Sequence, residues 1–266
     1  MIFRNENGLG YYQFEHLAAC AQIRHAVFPR TEGCSRAPFH RLNVSLSVGD
    51  DPAHVRGNRD RVRRCLQAAD VIYAQQVHGD GVLVIDDLLG SDGPLEGDAM
   101  VSALPGKALA VQVADCQAIL FYDPRRRVVA NAHCGWRGSL AGVAVRTLEV
   151  MGSRFGCSAR DVLVGIGPSL GPCCAEFVNY RSELPPALWG YRCGSTHFDF
   201  WAITRDQLIG AGVPAAYIEN SGICTKCRTD RFFSYRGEKT TGRFPAAIAL
   251  REVKTSGEQR ATNERV

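Results

Sequence analysis

The stretch Ala108-Leu109-Ala110-Val111-Gln112-Val113-Ala114-Asp115-Cys116-Gln117-Ala118-Ile119-Leu120-Phe121-Tyr122, followed shortly by Val128-Val129-Ala130-Asn131-Ala132, decides the fold. It holds three apolar runs of strand length, at Ala108 to Val113, Ile119 to Tyr122 and Val128 to Ala132, with short connections between them. Comparable runs stand at Val71 to Tyr73, Val82 to Ile85 and Val162 to Ile166, so strands dominate the middle of the chain. Between residues 50 and 70 the period changes. Asp51 is placed to cap a helix, Pro52 to open its first turn, and Val55, Val62, Cys65, Leu66 and Ala69 share one face. Two more helices are expected, from Leu140 to Met151 stopping near Gly152, and from Trp201 to Ile209 stopping near Gly210 and Gly212. The reading is an α+β fold of packed mixed β-sheets flanked by helices. It is one domain over residues 1–254, with 255–266 as a flexible C-terminal tail, because no Pro/Gly/Ser-rich linker divides the chain and residues 255–266 lack apolar periodicity.

A chain of 266 residues with 45% hydrophobic and 22% charged content can bury a full core, which excludes disordered, collagen-like and disulfide-scaffold classes. The net charge of +4 does not indicate a dedicated nucleic-acid or membrane-surface protein, although a local basic pocket is compatible with it. The opening Met1-Ile2-Phe3-Arg4-Asn5-Glu6 has no basic stretch leading into an apolar one, and no run reaches the roughly 18 apolar residues of a membrane helix. A cytoplasmic setting is therefore expected. The eleven cysteines are odd in number and scattered, so they read as mostly reduced.

Three segments set a metal-ligand type at or just after a strand end: Gln75-Gln76-Val77-His78-Gly79, Ala114-Asp115-Cys116-Gln117 and Ala132-His133-Cys134-Gly135-Trp136-Arg137-Gly138. Imidazole and thiolate suit zinc, and three protein ligands leave a fourth position for water or substrate. The spacing matches no compact motif, so ordinary burial of these side chains stands beside the metal reading.

These segments come with Gly97-Asp98-Ala99-Met100-Val101, Gly165-Ile166-Gly167-Pro168-Ser169-Leu170-Gly171-Pro172-Cys173-Cys174, Phe232-Phe233-Ser234-Tyr235-Arg236 and Thr241-Gly242-Arg243. Together they resemble the bacterial YfiH-like family, whose members carry the labels polyphenol oxidase, laccase-like protein and purine nucleoside phosphorylase. The similarity runs from about His25 to Ile248. It implies His78, Cys116 and His133 as ligands of one catalytic metal ion, Zn2+ with Cu2+ as the alternative. It also implies phosphorolysis of inosine, adenosine and methylthioadenosine to base and ribose 1-phosphate, with deamination of adenosine. Purine nucleosides and phosphate are then the partners, without nucleic acid or membrane. The sequence departs from the family pattern at Cys134, where a small residue is common, at Gln117-Ala118 in place of valine-proline, and at Arg236-Gly237 in place of two arginines.

Phosphate needs cationic donors near the metal. Arg137, four residues after His133, is the first candidate, and Arg30 and Asn43 are further ones, because Phe28-Pro29-Arg30 and Leu42-Asn43 match family segments. Trp136 is placed either to stack on a purine or to pack in the core. Gly165, Gly167 and Gly171 have the wrong spacing for a dinucleotide loop and read as a structural turn. Cys224-Thr225-Lys226-Cys227 can join Cys173 and Cys174 only if an adjacent pair chelates well, so a closed four-sulfur site is not expected. Other readings remain open. Two histidines and a cysteine also describe a copper centre, although seven histidines without a His-x-His pair oppose a multicopper cluster. Cys116 with His133 as base describes a cysteine hydrolase. A metal- or partner-binding protein without turnover is the non-enzymatic option.

Overall fold

The computed structural model describes residues 1–6, 8–86 and 95–252, so the expected tail and the expected domain end at 254 lie outside the described residues. In chain order the strands are β1 (Ile2–Glu6), β2 (Leu9–Gln13), β3 (Ile23–Val27), β4 (Asp70–Tyr73), β5 (Val82–Ile85), β6 (Ala99–Ser102), β7 (Lys107–Val113), β8 (Gln117–Asp123), β9 (Val128–Cys134), β10 (Leu163–Ile166), β11 (Arg192–Cys193), β12 (His197–Phe198), β13 (Ile218–Asn220) and β14 (Phe244–Leu250). One six-stranded sheet has the order β1-β2-β3-β14-β7-β4 and the other β13-β10-β8-β9-β6-β5. Both are mixed: β4 runs parallel to β7 and β5 to β6, while β14 runs antiparallel to β3 and β8 to β9. The fold is α+β, as the pattern predicts.

The apolar runs are continuous because the central strands are covered on both faces. Side chains of a strand alternate between faces. On β8, Ala118, Leu120 and Tyr122 meet Leu109, Val111, Phe244 and Ile248 of the other sheet. Ile119 and Phe121 point the opposite way, onto Val143, Leu148 and Met151 of the helix Val143–Phe155. The outer face of the first sheet is lined by Ala108, Ala110, Ala247 and Ala249, small enough to admit Val62, Cys65 and Leu66 of the helix Pro52–Leu66. The layers are thus helix, sheet, sheet, helix. Buried Asn131 of β9 ties the two sheets, donating from Nδ2 to the carbonyls of Leu109 (2.9 Å) and Ala246 (2.8 Å). The same alternation sends His133 to the inter-sheet side and Cys134 into the helix-covered core.

The first expected helix forms as read, with the Asp51 carboxylate accepting from the Ala53 N–H at 2.7 Å and Pro52 in the first turn. The second differs. The segment makes two helices, Trp136–Ala141 and Val143–Phe155, broken at Gly142 (φ 78°), and it runs through Gly152 to end at Gly156 (φ 68°). The Cys157 N–H donating to the Met151 carbonyl closes that end, so Gly156 is the left-handed stop and Gly152 an ordinary helical residue. The third helix is Phe200–Gly210, capped by Asp199. Among the described residues no helix is long and apolar enough to cross a membrane.

Candidate active site

His78 follows β4 in a turn, with a left-handed φ of 63°. Cys116 lies between β7 and β8, next to Asp115 at φ 84°, and His133 is the penultimate residue of β9. The fold brings one ligand atom of each within 4.8 Å of the others. Asp98, 1% exposed and immediately before β6, organises two of them. Its Oδ1 accepts from the His78 N–H at 2.9 Å and lies 2.8 Å from His133 Nδ1, and its Oδ2 accepts from the Gly79 N–H at 2.7 Å. Burial opposes the Asp98 charge, but the hydrogen bonds from His133 and from these N–H groups outweigh it and hold the carboxyl below its usual range. A charged Asp98 fixes the proton of His133 on Nδ1 and leaves Nε2 for the cysteine or a metal.

Cys116 Sγ lies within 4.8 Å of a ring nitrogen of each imidazole. Burial acts to raise its thiol, and the positive charge and hydrogen bonds of His133 and His78 overcome that and bring it to about 6. For His133, burial acts to lower the imidazole, and the Cys116 thiolate and Asp98 raise it to about 9. Gly135 closes the cradle: a Cβ there would stand 3.0 Å from Cys116 Sγ and 3.2 Å from His78 Cδ2. Asp115 sets the turn that presents Cys116, accepting from Thr225 Oγ1 at 2.7 Å and the Arg236 N–H at 2.6 Å. Two imidazole nitrogens and a polarised thiol converging from three rigid segments fit a divalent metal, with the exposed His78 side facing open space.

That space is a cavity of about 1110 Å³. Arg59, Arg137, Arg236 and Arg243 line it, with Tyr73, Trp136, Phe177, Phe200 and Tyr235 as aromatic walls. Among the described residues its single acidic lining residue, Asp115, has both oxygens engaged. The cavity is therefore cationic and aromatic.

Of the other residues expected from the sequence, Arg137 lines the cavity, its guanidinium 4.3 Å over the Trp136 ring. Arg30 and Asn43 do not. Arg30 is buried behind the wall, paired with Glu238 at 2.7 Å and donating to the His40 and Thr229 carbonyls, so its charge is already spent. Asn43 is fully buried and accepts from the Arg243 N–H at 2.8 Å, which makes it a support for a lining arginine. Sequence reasoning passed over Asp98 and Arg243 as site residues, although both stand in segments that carried the resemblance. Cys134 faces the helix layer, 3.2 Å from Ser139 Oγ, and burial pushes its thiol up to about 12, so it adds no ligand. Gln117 donates to the Phe200 carbonyl at 2.9 Å on the cavity wall, and Arg236 donates to the Glu176 carbonyl at 2.9 Å. The four cysteines at 173, 174, 224 and 227 also converge, against expectation, their sulfurs all within 4.8 Å of one another.

Residues 24–251 match the family model described as multi-copper polyphenol oxidoreductase laccase. The chain belongs to this family, the YfiH-like proteins. It is 35% identical over 243 residues to a purine nucleoside phosphorylase of Pseudomonas aeruginosa, covering 88% of this chain and 96% of that one. It is 32% identical over 248 residues to the purine nucleoside phosphorylase YfiH of Escherichia coli, covering 88% and 94%. The solved structure of YlmD from Geobacillus stearothermophilus superposes with a TM-score of 0.84 at 32% identity, covering 94% of this chain and 99% of that one. Of this YfiH-like chain's seven histidines, two stand in the His78, Cys116 and His133 cluster.

Proposed function

We propose that this protein is a zinc-dependent purine nucleoside phosphorylase that also deaminates adenosine. The observation that carries this reading is the His78, Cys116 and His133 cluster opening onto a cavity with four arginines and aromatic walls. Its volume exceeds the roughly 300–1,000 Å³ of most small-molecule sites, which suits a nucleoside and an anion bound together. The names of the relatives support the phosphorylase part of this reading. Zinc, when bound to His78, Cys116 and His133, supplies Lewis acidity and lowers the pKa of water. The chain's own residues do the rest. Asp98 holds His133 in one tautomer, Arg137 offers the phosphate a guanidinium with no carboxylate partner among the described residues, and Trp136 and Tyr235 offer faces for the base. In phosphorolysis the bond from the ribose carbon to the purine nitrogen breaks, a phosphate oxygen bonds to that carbon, and the base takes up a proton. In deamination, water adds to the purine carbon and ammonia leaves.

The test is a panel of inosine, adenosine and methylthioadenosine with and without inorganic phosphate, run on protein of known metal content. Phosphate-dependent release of base together with ribose 1-phosphate is expected; free ribose without phosphate would make the protein a hydrolase. One observation favours a second reading. Cys116, His133 and Asp98 are linked in series, as in a cysteine nucleophile with its base and the base's orienting acid. Metal content separates the two, because a thiolate bound to zinc resists alkylation by iodoacetamide and a free one at about 6 does not.

A further inference from the structure

Away from the nucleoside cavity, Cys173 and Cys174 meet Cys224 and Cys227 across the chain. Cys227 Sγ lies 3.7 Å from Cys173 Sγ and 3.6 Å from Cys174 Sγ. Zinc binds thiolates at about 2.3 Å, so the edge of a tetrahedral four-sulfur shell is about 3.8 Å. These two separations match such an edge, and all four sulfurs lie within 4.8 Å of one another. Two disulfides could also use all four sulfurs, but each needs an S–S contact of about 2.05 Å; at the separations observed the four are free thiols, and one tetrahedral ion engages them all.

We infer that Cys173, Cys174, Cys224 and Cys227 form a second, structural site for a thiophilic divalent metal such as zinc. The surroundings match that chemistry. The Gly171 N–H donates to Cys224 Sγ at 3.3 Å, the kind of outer hydrogen bond that steadies a metal-bound thiolate. Cys224 to Cys227 forms a tight turn, with the Arg228 N–H donating to the Cys224 carbonyl at 3.1 Å. Gly171 has no room for a side chain, since a Cβ would stand 2.7 Å from the Trp201 ring and 3.1 Å from Cys224 Cβ, and this close approach is what lets the adjacent pair reach the turn. Cys173 and Cys227 are exposed and give the ion a way in.

The site joins two segments that grip the turn presenting Cys116. Leu170 donates its N–H to the Asp115 carbonyl at 2.8 Å, Thr225 Oγ1 donates to the Asp115 carboxylate, and the two segments bridge each other through Ser169 and Thr225 at 3.0 Å. A closed four-sulfur site here braces Asp115, and through it Cys116.

The experiment is metal analysis of protein purified without chelator, on the parent chain, on a His78→Ala/His133→Ala variant and on a Cys224→Ser/Cys227→Ser variant. The histidine variant tests the sulfur site by itself, whatever becomes of the proposed activity. It is expected to keep one tightly held zinc ion, and the cysteine variant is expected to hold one ion fewer than the parent. Should the cysteine variant fail to fold, cobalt added to the reduced histidine variant decides. Intense thiolate-to-cobalt charge transfer with tetrahedral d–d bands supports the site. A metal-free histidine variant without those bands, or a Cys227 disulfide in unreduced protein that persists when zinc is supplied during expression, overturns it.

Discussion

Asp98 meets both candidate metal-ligand histidines in different ways, at the ring of His133 (2.8 Å from Nδ1) and at the backbone N–H of His78 (2.9 Å). One buried carboxylate thus sets both the tautomer of one candidate ligand and the turn that holds the other. Asp98→Asn keeps the shape but removes the charge that fixes the His133 proton on Nδ1. Metal affinity is expected to fall by about 10- to 100-fold, the usual cost of losing such a partner. Chelator competition against the parent protein measures it, and unchanged affinity would remove Asp98 from the site.

Gly135 admits no side chain because Cys116 Sγ and His78 Cδ2 already occupy that space. Gly135→Ala is expected to push one ligand away and deplete bound metal while leaving the two sheets folded. Gly190→Ala is the control, since nothing lies within 4 Å of a Cβ there. Metal content of the two variants, read beside their circular dichroism, checks this; equal metal in both would show that the cradle is looser than its distances.

How much of this was legible in the sequence depends on what each residue touches. The strands β7, β8 and β9 are readable because burial on both faces leaves an unbroken apolar run. β14 is not: Phe244-Pro245-Ala246-Ala247-Ile248-Ala249-Leu250 is rich in alanine because a helix packs closely over it, and alanine carries no strand preference. His78, Cys116 and His133 are ligand types at strand ends, but it is the family resemblance, and not their spacing, that groups them as one candidate site. Asp98 acts only through its distances to other residues, which no spacing encodes. The four cysteines form two pairs about fifty residues apart, with Cys174 and Cys224 brought together by the pairing of Ser169 with Cys224, a contact invisible to local pattern. Arg30 shows the limit of a matching segment: named as a phosphate candidate, it pairs with Glu238 and stands outside the cavity lining.

His25 links the fold to pH. It is 2% exposed, stacks on Phe14, and its Nε2 accepts from the Phe14 N–H at 2.9 Å. Burial, with the nearby His16, lowers its imidazole from 6.5 to about 3. A histidine lowered in the folded state binds fewer protons there than in the unfolded chain, so its contribution is complete above 6.5 and is lost as pH falls from 6.5 toward 3. At pH 5 the loss is on the order of 2 kcal/mol. Denaturant unfolding at pH 7.5 and pH 5 should show it, and His25→Gln, which cannot take up that proton, should flatten the dependence. A variant with the same slope as the parent would assign the acid sensitivity to other groups.

Arg137 and Arg243 line the same cavity but are held differently, and this separates their expected roles. Arg243 donates from Nη1 to the Thr241 and Gly242 carbonyls at 3.1 and 3.0 Å, so it supports its own loop as well as facing the cavity. Arg137 is exposed and rests on Trp136 with its donors uncommitted among the described residues. A phosphate needs such donors and a water does not. Arg137→Met keeps much of the bulk over the indole and deletes the donors. Losing one charge-assisted contact of about 1.5 to 3 kcal/mol should slow phosphorolysis of inosine by roughly ten- to hundredfold, with adenosine deamination much less affected. Arg243→Met should depress both activities, because its loop moves too. Initial rates for both reactions, with phosphate varied from limiting to saturating, distinguish the cases: for Arg137→Met the loss should be largest at limiting phosphate. Equal loss of the two activities in Arg137→Met, independent of phosphate, would mean that Arg137 positions the nucleoside or the Trp136 wall instead of the anion.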